Sequence, residues 1–153
     1  MNIEQSILPL LGKTVKIIDL HIEDELSNEN IDITKLQFVF LIVIKKNNGK
    51  PQQSLAELTG RDKTTFTRNI ATLERKNLVT RQCCHTDKRS KLVHITPLGL
   101  EYIEKSKPIL IKVINELESA ITLDEREQFM STLQKIKQKS LQLGNKENII
   151  FNL

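Results

Sequence analysis

Residues 52–79 read QQSLAELTGRDKTTFTRNIATLERKNLV, and the fold turns on this stretch. A short helix is predicted over about Gln52 to Thr59, with Gly60 as its stop, because glycine tolerates the left-handed conformation that a helix end requires. Asp62 is a good N-cap for a second helix that runs to Lys76, and Asn77 can take the left-handed conformation at its end. Two short helices separated by Gly60-Arg61 are a helix-turn-helix in sequence. On a wheel of about 100° per residue with Phe66 at zero, Ile70 and Leu73 fall within about 40° of it. These three are expected to face the core. Thr64, Arg68, Ala71 and Arg75 fall about 140° to 200° away, flanked by Thr67 and Lys63.

After Leu78 the pattern changes. Val79 to Cys83 and Lys91 to Ile95 are short and β-branched at their outer ends, and the polar stretch His85 to Ser90 lies between them. This is a hairpin with a charged tip. Thr96 and Pro97 then supply an N-cap and a first helical position. The helix they open carries Ile103, Leu110, Val113, Ile114, Leu117 and Ile121 on one side, and Pro108 is expected to kink or interrupt it. Thr122 with Glu125 is a capping box for a last helix with Phe129, Leu133, Ile136 and Leu141, stopped by Gly144. The tail is apolar, with Ile149, Ile150, Phe151 and Leu153.

Upstream, apolar residues recur at helical spacing to about Leu26, with Pro9 at an early position. A polar hinge follows at Ser27 to Asn30. Thr34 with Gln37 is another capping box, opening a helix that is apolar nearly all round from Leu36 to Ile44 and so expected to be a buried centrepiece. Asn47-Asn48-Gly49 ends it. The fold class is therefore mainly α with a small β-hairpin wing, a winged helix-turn-helix flanked by helices.

Charge marks where this fold would act. Residues 61–91 hold nine Lys/Arg and three Asp/Glu, or +6, in a chain of 153 residues whose formal net charge is +4. The remainder holds 14 basic and 16 acidic residues and carries −2. A focus of positive charge on a helix and an adjoining ribbon suits the phosphate backbone of double-stranded DNA. With no Trp and 4% aromatics, base-stacking platforms for single strands are not expected. Small residues let a helix sink into the major groove, where Arg bonds guanine O6 and N7 in bidentate fashion. Lys63, Thr64, Thr65, Thr67, Arg68 and Arg75 are the candidate DNA-binding residues of the helix. Asp87, Lys88, Arg89 and Lys91 are those of the wing. A cationic loop suits the narrow minor groove of A·T-rich DNA, with Asp87 placed to brace Arg89.

The run Leu55-Ala56-Glu57, Gly60, Asp62 to Arg68 and Leu73 to Val79 resembles the DNA-binding core of the multiple antibiotic resistance regulator (MarR) family. So does Asp87-Lys88-Arg89 followed by Leu92 to Gly99. The resemblance implies a homodimeric winged helix-turn-helix regulator. Residues 31–99 would be its DNA-binding region, and residues 1–30 and 100–153 its helical dimerisation region. It implies a repressor that binds a pseudo-palindromic operator and responds to a small aromatic or phenolic effector. Two positions depart from the family pattern. Cys84 stands where an acidic residue is common, and Asn77 replaces the commoner Gly.

Other classes find little footing. There is no Gly-rich phosphate loop, no nucleophile context and no apolar carboxylate pair, so neither an enzyme nor a cofactor is expected. His21, His85 and His94 fit no metal-ligand spacing. No signal peptide or membrane span is read, so a cytoplasmic location is expected. Adjacent Cys83 and Cys84 are expected to be reduced strand residues. Glu23-Asp24-Glu25 and Asp124-Glu125 read as solvated surface or helix-dipole partners. Two alternatives stay open: a winged-helix protein-interaction module, and a thiol-redox sensor.

Overall fold

The computed structural model describes residues 3–83 and 90–144. After a single 3₁₀ turn, Ile3–Gln5, come α1 (Ile7–Asn28), α2 (Lys35–Lys46), α3 (Gln52–Thr59) and α4 (Lys63–Arg75). The chain continues through β1 (Val79–Cys83), β2 (Lys91–Ile95), α5 (Pro97–Glu118) and α6 (Leu123–Gly144).

The local signals act as their chemistry requires. At α2, the Thr34 hydroxyl accepts the Gln37 N–H while the Gln37 side chain accepts the Thr34 N–H, both at 3.2 Å. The same reciprocal pair opens α6 between Thr122 and Glu125. Thr96 accepts the Gly99 N–H at 3.0 Å, with Pro97 in the first turn of α5. Gly99 is buried there, and only glycine fits, because a Cβ would stand 2.2 Å from the Leu78 carbonyl oxygen. That close approach sets α5 against the start of the hairpin.

The core lies where α2, α3, α4, the hairpin and the inner halves of α1 and α5 converge. Phe40, Leu41 and Ile44 of α2 are fully buried, as are Leu55, Phe66 and Ile103. Leu36, Phe38, Ile42 and Val43 pack partly buried around them, so α2 is the expected centrepiece. β1 and β2 pair antiparallel, from Val79 opposite Ile95 to Cys83 opposite Lys91. The loop after α2 adds a third edge that the sequence reading missed. Gly49 N–H donates to Val93 O at 2.9 Å, and Val93 N–H to Lys50 O at 3.1 Å. The Asn48 side chain accepts the Ile95 N–H. Asn47-Asn48-Gly49 is thus both a helix end and a support for β2.

α5 is not interrupted at Pro108. The ring removes one helical hydrogen bond, but Ile103 and Val113 on either side are fully buried and hold both halves of the helix against the core. Glu25 is not merely solvated. It accepts from Lys112 at 2.8 Å, joining α1 to α5, and that contact holds its carboxyl below the usual range. Beyond the core the picture reverses. No residue of α6 from Leu123 to Leu143 is buried, and the outer half of α1 exposes Ile7, Leu8, Leu10, Val15 and Ile17. The tail from Ile149 lies outside the described residues.

Candidate nucleic-acid interface

The interface is built from α4 outward. Asp62 caps it, its Oδ1 accepting the Thr65 N–H at 2.8 Å. That backbone donor keeps the Asp62 carboxyl below its usual range, so it is a charged cap at the positive end of the helix. At the other end, Asn77 sits at φ 57°. Leu78 N–H returns to Leu73 O and Asn77 N–H to Glu74 O, both at 2.9 Å, a Schellman closure that turns the chain into β1.

The rotation of α4 is fixed by burial. Phe66, Ile70 and Leu73 are fully buried, and the Phe66 ring lies 4.8 Å from that of Phe40. The opposite side presents Lys63, Thr64, Thr67, Arg68 and Arg75 exposed, with Thr65 and Ala71 half-buried. The wheel expectation therefore holds for Thr64, Arg68 and Arg75, and in part for Ala71. Among the described residues, Arg61, Lys63, Arg68 and Lys91 have no ion-pair partner, and Arg75 makes only a 3.1 Å bond to the Thr72 hydroxyl.

Two cations of the +6 block are already paired. Arg81 gives its backbone N–H to Glu74 Oε1 at 3.2 Å and its guanidinium Nε to Oε2 at 3.0 Å, with Nη2 on the same oxygen. The Glu74 carboxyl is held low by Arg81, and the Arg81 guanidinium is held high in return. This pair ties the last turn of α4 to the first strand of the wing. Lys76 contacts Asp32 at 2.9 Å and binds α4 to the loop before α2. Sequence reasoning counted both in the basic block, named neither as a DNA contact, and assigned neither a partner. Glu74 was the signal it passed over, because a carboxylate on the flank of a basic helix needs a partner close by.

Lys63, Thr67, Gln52, Arg81, Ser90 and Lys91 line a cleft of about 530 Å³ between α4 and the hairpin. Helix and wing thus enclose a cationic notch of donors suited to phosphate oxygens or to base acceptors. Lys91 is exposed at the start of β2. Asp87, Lys88 and Arg89 lie outside the described residues, as do Cys84 and His85. Cys83 is exposed with a free thiol, His21 is exposed and His94 half-buried. Among the described residues no three His, Cys, Asp or Glu side chains gather in a way that could hold a metal ion.

The profile of the MarR family matches residues 33–91, the segment from the start of α2 into the wing. The crystal structure of wild-type MarR from E. coli superposes with a TM-score of 0.70 at 26% identity, covering 86% of this chain and 96% of that one. Residues 33–91 thus carry a MarR-family segment. Its winged-helix fold is shared more widely. The S. aureus MepR–DNA complex matches with a TM-score of 0.78 at 24% identity, over 88% of this chain and 98% of that one. The organohalide-sensing transcriptional regulator RdhR, in its 2,4-dichlorophenol-bound form, matches at 0.87 and 15% identity, over 98% and 88%. The MarR profile ends at Lys91, so for α5 and α6 the likeness to these structures is one of shape. No helix among the described residues is long and apolar enough to cross a membrane.

Proposed function

We propose that this protein is a cytoplasmic, homodimeric transcriptional repressor of the MarR family that binds a pseudo-palindromic operator and is released by a small effector. The observation that carries DNA binding is the outward face of α4. Its arginines and hydroxyls are exposed, Arg68 is unpaired among the described residues, and Phe66, Ile70 and Leu73 lock the helix from behind. In this reading Lys63, Thr64, Thr65, Thr67, Arg68 and Arg75 meet the major groove. Lys91, with Asp87, Lys88 and Arg89 of the wing, meets the adjoining minor groove.

Residues 31–99 would be the reading head, and residues 1–30 and 100–153 the dimerisation region. Support for the latter is the apolar surface left by α1, the outer half of α5 and α6, where Ile114, Leu117, Phe129 and Met130 are exposed. A dimer would set two copies of α4 about one turn of DNA apart, roughly 34–36 Å. For the effector, a cleft of about 200 Å³ lies between α1, α2 and the turn before α4, lined by Asp19, Lys35, Phe40, Thr59 and Arg61. A phenolic molecule there would touch Arg61, one residue before the cap of α4. The likeness to MepR bound to DNA and to RdhR bound to 2,4-dichlorophenol supports both halves of the proposal.

The test is selection of bound duplexes from a random library with the full chain. Competition binding would then be measured over a salt series, with and without 2,4-dichlorophenol and related phenols. Enrichment of a two-fold-related motif, with affinity falling steeply as salt rises, is the expected result. Binding that is equal on selected and random duplexes would overturn the reading.

A further inference from the structure

Gln52 is the first residue of α3, and its side chain reaches across the helix-turn-helix. Its Nε2 donates to the Thr67 hydroxyl at 2.9 Å, while its Oε1 is buried without a partner among the described residues. An unmatched buried carbonyl costs stability. A local rule broken beside a candidate site is a pointer to function.

Thr67 is held differently from several other helical hydroxyls of this chain. Thr72, Ser106, Thr132 and Ser140 each donate their hydroxyl to the carbonyl four residues earlier, the default for a hydroxyl inside a helix. Among the described residues Thr67 makes no such bond. Its oxygen accepts from Gln52 instead. A hydroxyl has one proton to give, and with an acceptor position filled from the inner side, that proton is free to point outward. Thr67 is exposed next to Arg68, on the rim of the notch that also holds Lys63 and Lys91.

We propose that Gln52 is a positioning residue for DNA recognition, holding the Thr67 hydroxyl as an outward donor that selects an acceptor on the duplex. This rests on the DNA-binding reading above. The acceptor is a phosphate oxygen or the N7 or carbonyl edge of a base. The amino group of cytosine or adenine, which also needs an acceptor, is disfavoured.

The experiment uses the full chain on the duplex selected with it. Affinity is measured by fluorescence anisotropy over a salt series and on all single base-pair variants, with thermal melts to confirm folding. Thr67→Val is expected to weaken binding about three- to tenfold, and Thr67→Ser to retain most of the affinity. Gln52→Met keeps the length and helix preference of the side chain but removes the donor. It is expected to cause a smaller loss at an unchanged melting temperature, and the double variant to be no weaker than Thr67→Val alone. A loss uniform over base variants, with a shallower salt slope, assigns the acceptor to phosphate. A loss that relaxes preference at one base pair assigns it to a base edge. If Gln52→Met binds like the parent chain, or if the two losses multiply in the double variant, the proposal is overturned. A parent chain that selects no duplex would instead overturn the DNA-binding reading and is seen before any variant is made.

Discussion

The helix-turn-helix and the outer helices both carry apolar faces but treat them in opposite ways. Around α4 the apolar face closes within the protomer, with Phe40, Phe66, Ile70 and Leu73 entirely removed from solvent. In α6 the same periodicity leaves Phe129 at 54% and Leu123 at 68% exposure. Helical periodicity specifies which face is apolar, but what covers that face is a property of the assembly.

The strongest way to break this contrast is one substitution placed in both regions. Phe66→Ala is expected to cost about 3–5 kcal/mol in urea unfolding, equally at every protein concentration. Phe129→Ala is expected to leave the protomer core intact and weaken self-association by about 2 kcal/mol, read by sedimentation. For a dimer the melting temperature of the parent chain rises with concentration. A melting temperature that stays constant over a hundredfold range, with a monomer throughout in sedimentation, would remove the distinction between the regions.

Charge offers the next comparison. Arg68 has no partner among the described residues, whereas Arg126 donates to Glu118 at 2.7 Å in the outer region. Each alanine substitution removes one positive charge. Arg68→Ala is expected to cost about 1–3 kcal/mol on the selected duplex with no change in melting temperature. Arg126→Ala is expected to leave duplex affinity nearly unchanged. Equal losses would mean that net charge, not the face of α4, governs binding.

How much of this was legible follows the same division. Asp62, Asn77, Thr96 and Gly60 act through contacts within a few residues, so sequence alone placed α3 and both strands with the bounds observed and the end of α4 within one residue. The outward set from Lys63 to Arg75 followed from the wheel, because three large apolar residues left α4 one way to lie. What escaped was non-local. Arg81 meets Glu74 only after the chain has turned through Asn77, Lys76 meets Asp32 across 44 positions, and Gln52 meets Thr67 across 15. Uncharged Gln52 offered no sequence signal, since its role depends on the angle between α3 and α4. Pro108 does not interrupt α5 for a related reason: tertiary packing on both sides outweighs one lost helical bond.

The Glu74–Arg81 pair also gives a pH prediction. Glu74 titrates below its ordinary value because Arg81 bonds its ionised form. Its contribution is therefore complete above the unfolded-state value near 4.5 and is lost as pH falls through the lower folded value. Glu74→Gln is expected to cost up to about 1 kcal/mol at neutral pH, since both groups keep some contact with water. The deficit should shrink as acid titrates the carboxylate in the parent chain. A deficit that persists undiminished at the acid end would show that the carboxamide fails sterically rather than electrostatically.

The smallest effect is also the sharpest probe of the outer region. Gly12 is exposed within α1, and nothing lies within 4 Å of where a Cβ would be. In a lone protomer Gly12→Ala should therefore stabilise by about 0.5–1 kcal/mol, the helix preference of alanine over glycine. Yet Gly12 sits between exposed Leu8, Leu10 and Val15, on the half of α1 assigned here to the partner. The full gain is expected at concentrations low enough to favour the protomer. A reduced or reversed gain is expected where a second copy packs against that face and meets the new methyl group. Equal gains at both extremes of concentration would place Gly12 outside the interface and confine pairing to α5 and α6.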